Sequence, residues 1–99
     1  MNLDDYQKLI AKLVKERRFS EETATEVMLL LVEEVGELAK SIRKLNGQKV
    51  DPTSRHHDAA EEAADVFWLL LDVCNRLEIN LSQAFAQKEL KNQKRNWQA

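Results

Sequence analysis

A chain of 99 residues makes one domain, spanning 1–99, large enough for a core yet small enough that a helical layer can require a second chain to cover it. The net charge of −2 excludes the strongly basic surface of a non-specific nucleic-acid binder, and a single cysteine, Cys74, excludes an internal disulfide framework. No stretch approaches the roughly 18 uninterrupted apolar residues of a membrane span, and Met1 to Asp5 is polar and acidic, so a soluble cytoplasmic protein with no membrane association is expected.

Two glycines and one proline are little punctuation for this length and favour long helices over strands. From Leu3 to about Arg17, apolar residues at Leu3, Tyr6, Leu9, Ile10, Leu13 and Val14 follow the spacing of an amphipathic helix, with Asn2 as a candidate cap. Ser20, followed by Glu21 and Glu22, predicts the N-cap of a second helix. That helix runs through Val27, Leu30, Leu31, Val35, Leu38 and Ile42 to Leu45, and Asn46-Gly47 is its stop. Gln48 to about His56 reads as a loop. A third helix is expected to start between His56 and Ala59 and to end at Leu77 or Glu78, and a fourth runs from Leu81 to about Asn96. The predicted fold is all-α, a four-helix bundle completed by dimerisation.

Two of these helices carry acids where apolar residues belong. At roughly 100° per residue, Val27, Leu30, Leu31 and Leu38 fall within about 60° of Glu34, which centres that carboxylate on the apolar face with Glu37 at its edge. In the third helix Glu61, Glu62, Asp65, Trp68, Leu69, Asp72 and Arg76 share one stripe, and nearly every other direction is apolar. Such a helix is central, and buried carboxylates need a positive partner.

Glu34-x-x-Glu37 and Glu62-x-x-Asp65 each put two carboxylates one turn apart, so two such helices face to face offer four oxygen-bearing groups to a common point. Oxygen-only ligands suit Mg²⁺ or Mn²⁺, which also bridge to substrate phosphates. Zinc is disfavoured, because no His or Cys falls within the pattern. A di-iron bundle would use Glu-x-x-His, which is absent; His56 and His57 read as solvated or capping residues. Isolated pairs of this kind are usually ordinary surface acids, and it is the repetition on two apolar faces that argues for a site.

On the last helix Lys88, Lys91, Asn92 and Arg95 cluster on one side, donors suited to a metal-bridged polyphosphate or equally to a solvated basic helix end. Trp68 faces the acidic stripe, available to stack on a base or to fill a core or an interface.

With these residues in hand, the chain resembles the MazG-like nucleoside triphosphate pyrophosphohydrolases. Glu33-Glu34-Val35-Gly36-Glu37 and Glu62-Ala63-Ala64-Asp65 are similar to the family's EExxE…ExxD signature, Glu78-Ile79-Asn80-Leu81 to its G-I-D-L lead-in, and Lys91-Asn92-Gln93-Lys94-Arg95 to its K-N-x-x-R ending. The resemblance implies hydrolysis of a nucleoside triphosphate between the α and β phosphates. It further implies Mg²⁺ at Glu34, Glu37, Glu62 and Asp65, with Glu33 orienting or deprotonating water, and an assembly that is a homodimer or a dimer of dimers. Family members often carry an amide where this chain has Asp72, which either adds charge to the site or pairs with Arg76. Phosphoribosyl-ATP pyrophosphohydrolase is the nearest alternative, and a non-catalytic helical dimer or binding module is an alternative of another class.

Overall fold

The computed structural model describes residues 1–46 and 55–95, of which 55–57 are described in backbone only. Four α-helices account for nearly all of them: α1 Leu3–Glu16, α2 Ala24–Leu45, α3 Arg55–Arg76 and α4 Leu81–Gln93. No strand occurs among the described residues, and the all-α, four-helix reading holds. The stop at Gly47, residues 48–54 of the loop expected from Gln48 to about His56, and Asn96 and Trp97 lie outside the described residues. Arg55 and His56 at the end of that loop are already helical, so α3 starts just before the expected range of His56 to Ala59.

Side chains close the starts of α1, α2 and α4. At α1, Asn2 Oδ1 accepts from the Asp5 amide at 2.8 Å while Asp5 Oδ2 accepts from the Asn2 amide at 3.0 Å, a reciprocal capping box. For α2 the cap is Thr23 and not Ser20. Thr23 has a glutamate three residues on, so that Thr23 Oγ1 accepts from the Glu26 amide at 3.1 Å and Glu26 Oε1 from the Thr23 amide at 3.0 Å. Ser20 has a threonine at that distance and cannot form the pair, which leaves 20–22 as a turn. Asn80 caps α4 by accepting from the Gln83 amide at 2.9 Å.

Two helices end in left-handed turns without glycine. After α1, Arg18 stands at φ 63°, with the Phe19 amide donating to Val14 O at 2.9 Å and the Arg18 amide to Lys15 O at 3.3 Å. After α3, Glu78 stands at φ 56°, with the Ile79 amide donating to Cys74 O at 2.8 Å and the Glu78 amide to Asn75 O at 3.1 Å. Both are Schellman closures, and the second stops α3 at Arg76, one or two residues before the expected end. The last helix likewise ends early, at Gln93.

α3 is central, packed along α2 on one side and against α1 on another, while α4 docks on α1. Ile10, Val14 and Leu71 form one core cluster, joined by Leu3, Trp68 and Leu81; Val27, Leu31 and Val73 form the second, joined by Val66 and Leu69. Tyr6 meets Phe67 edge to face at 5.4 Å between ring centroids.

A buried glutamine gathers three segments. Gln7 Nε2 donates to Asn75 Oδ1 and to Ile79 O, both at 2.9 Å, and Gln7 Oε1 accepts from the Leu81 amide at 3.0 Å. Asn75 Nδ2 donates back to Gln7 O at 2.8 Å. The polar groups that this junction buries are thereby satisfied.

The bundle is not closed on itself. Its Cα radius of gyration is 16.5 Å, against about 13 Å for a compact chain of roughly 100 residues. Met28, Leu29, Val32, Val35 and Leu70 leave an apolar face of α2 and α3 exposed, and Phe85 and Leu90 on α4 are 68% and 60% exposed.

Candidate metal centre

Close packing of α2 on α3 brings the two acidic motifs together. Carboxylate oxygens of Glu34, Glu62 and Asp65 all lie within 4.8 Å of one another. Glu34 and Glu62 are half-buried and Asp65 is exposed. Glu37 stands exposed at the margin, outside the trio but near enough for its charge to act on Glu62. Glu33 is exposed on the neighbouring direction of α2 and also lies outside the trio.

Like charges this close must be relieved. The Glu62 carboxyl holds its proton up to about pH 7, first because it donates a hydrogen bond to Glu34, then through burial and the charges of Glu34, Asp65 and Glu37. Burial, followed by the charges of Glu34 and Glu61, also raises Asp65. One oxygen of Glu62, Oε2, is shielded from solvent and meets no donor among the described residues. A shielded acceptor without a donor, in a set made only of carboxylate oxygens, fits a hard divalent cation such as Mg²⁺ or Mn²⁺.

Beside the trio lies a cleft of about 360 Å³. Glu34 and Asp65 form its acidic side, Leu30, Trp68 and Leu69 an apolar side, and Arg17 and Phe19 reach it from the end of α1 and the turn that follows. Trp68 is both core and wall, since it packs on Ile10, Val14 and Leu71 as well as lining the cleft.

The sequence pattern left Arg17 and Phe19 out of the site. Both follow the last turn of α1, where helical periodicity carries no information. Leu30 was within reach of that pattern, because it shares a face with Glu34. Asp72 is buried and pairs with Arg76, its Oδ1 accepting from Nε at 2.9 Å, and it belongs to a structural contact rather than to the trio.

The cationic residues of α4 sit elsewhere in this chain. Lys88, Lys91 and Arg95 are exposed, Asn92 is half-buried with its Nδ2 donating to Glu89 at 3.3 Å, and none of them is among the residues that line the cleft. No helix among the described residues is long and apolar enough to cross a membrane.

Comparison with known proteins bears on the family and the fold. The profile of the MazG nucleotide pyrophosphohydrolase domain matches residues 22–98, which takes in both acidic motifs. No curated protein matches the chain. Among solved structures the chain is similar to the crystal structure of iMazG from Vibrio DAT 722, at 25% identity and a TM-score of 0.69, over 99% of this chain and 100% of that one. With the profile spanning most of its length and both motifs meeting on adjacent helices, the chain belongs to the MazG nucleotide pyrophosphohydrolase domain family.

Proposed function

We propose that the protein hydrolyses canonical or damaged nucleoside and deoxynucleoside triphosphates to the monophosphate and pyrophosphate, with Mg²⁺ or Mn²⁺, in nucleotide-pool house-cleaning. The observation that carries this reading is the meeting of Glu34, Glu62 and Asp65, with one shielded Glu62 oxygen lacking a donor, beside a cleft with an aromatic wall.

Glu34, Glu62 and Asp65 would hold the ion, and Glu37, exposed beside them, would add a fourth carboxylate. A bound divalent ion offsets the clustered negative charge, lowers the pKa of water and neutralises phosphate oxygens. Glu33 orients the attacking water and accepts its proton as the water oxygen bonds to phosphorus and the α–β bridging bond breaks, releasing pyrophosphate. Trp68 receives the base.

Lys88, Lys91, Asn92 and Arg95 hold the phosphate tail. Because these residues do not line the cleft of their own chain, this role is assigned to a second copy, in a homodimer or a dimer of dimers. An apolar groove of about 250 Å³ lined by Met28, Leu31, Val32, Val35, Val66 and Leu70 supports that assembly. The buried free thiol of Cys74 suits the reducing cytoplasm.

A nucleotide panel with Mg²⁺, read by pyrophosphate release and including phosphoribosyl-ATP, tests the reading. Turnover is expected with nucleoside triphosphates and is expected to vanish in Glu34→Gln and in Asp65→Asn without loss of the fold. Near wild-type release by either variant at saturating Mg²⁺ would remove the metal site from the reaction. Turnover confined to phosphoribosyl-ATP would reassign the substrate.

A further inference from the structure

One wall of the cleft lies outside everything the family match covers. Arg17 and Phe19 line it, and both precede the matched residues 22–98. Their backbone is fixed from two directions. The Schellman closure binds the Phe19 amide to Val14 O at 2.9 Å. From α3, Arg76, paired with Asp72, donates through Nη2 to Phe19 O at 2.8 Å and through Nη1 to Glu22 O. The turn is thereby tied to the same helix that carries Glu62 and Asp65.

The charges facing the cleft are unequal. Glu34 and Asp65 line it, with Glu62 adjacent, and Arg17 is the one cation among the described lining residues. A polyanionic substrate entering with one or two divalent ions leaves an excess of negative charge, which a donor-only, planar guanidinium can meet at a phosphate oxygen. The rest of the lining is apolar, and Phe19, 42% exposed, adds a second aromatic side chain to Trp68. Such a wall suits the face of a nucleobase.

Resting on the nucleotide reading above, we propose that Arg17 binds a substrate phosphate and Phe19 packs on the base, so that substrate selection in this chain resides in the turn between α1 and α2.

The test is binding of an α,β-methylene nucleoside triphosphate and of inorganic tripolyphosphate, each with Mg²⁺, to wild type, Arg17→Ala, Arg17→Lys and Phe19→Ala, with circular dichroism to confirm the fold. Arg17→Ala is expected to weaken both ligands about tenfold, and Arg17→Lys to recover part of the loss. Phe19→Ala is expected to weaken the nucleotide by roughly tenfold and to leave tripolyphosphate unchanged. Wild-type affinity in Arg17→Ala, equal weakening of both ligands in Phe19→Ala, or a wild-type protein that takes up neither ligand would overturn the proposal. Since binding is the readout, the expected pattern without pyrophosphate release would retain the recognition residues and sink hydrolysis alone.

Discussion

A proton on Glu62 is bound more tightly by the folded chain than by the unfolded one, because Glu34 accepts its hydrogen bond and neighbouring carboxylates oppose its ionisation. Below the ordinary carboxyl value of 4.5 both states hold the proton and the site costs nothing. As pH rises from there to about 7 the unfolded chain releases a proton that the native chain retains, and stability falls across that window. Asp65, shifted in the same direction, adds to the fall. In chelator, the melting temperature of Glu62→Gln is therefore expected to exceed that of wild type by a margin that is small near pH 4.5 and greatest above pH 7. Millimolar-scale Mg²⁺ is expected to reverse the order by stabilising wild type alone. A margin unchanged between pH 4.5 and 8 would show that Glu62 carries no such burden.

Among the elements, the helices themselves were legible because 3.6-residue periodicity and caps are local properties. The Asn2 cap and the helix through Leu45 follow from the residues in place. The start of α2 was misread because Ser20 and Thr23 are both competent caps, and only the reach of Glu26 decides between them. The acidic motifs were legible for a different reason, since a carboxylate centred on an apolar face conflicts with the pattern around it. Arg17 and Phe19 were not, because tertiary contacts with Arg76 place them. At the end of α3, Glu78 occupies a left-handed position at φ 56°, where a side chain costs about 1–2 kcal/mol and glycine gives back part of the gain through its unfolded-state entropy. Glu78→Gly is expected to raise stability by about 0.5–1 kcal/mol, measured by urea unfolding. Destabilisation would mean that the Glu78 side chain makes a contribution larger than the backbone strain.

For the molecule as a whole, the open shape and the exposed apolar face of α2 and α3 argue that one chain cannot cover its own hydrophobic surface. The dimer proposal predicts a dimer or larger species by light scattering, specific activity that falls on dilution, and a monomeric, inactive Leu70→Glu variant. A monodisperse monomer with full specific activity would refute it. Within the chain, Gln7 fastens the start of α4 and the turn before it to α1 and α3, and beyond that junction α4 rests mainly on α1. The consequence is a hierarchy of opening. Amide protons around Leu71, whose side chain is 0% exposed, are expected to exchange with deuterium only through global unfolding. Those of α4 exchange through a smaller excursion that Gln7→Ala accelerates, leaving α3 protected, so the helix that carries the basic residues is also the one that detaches first.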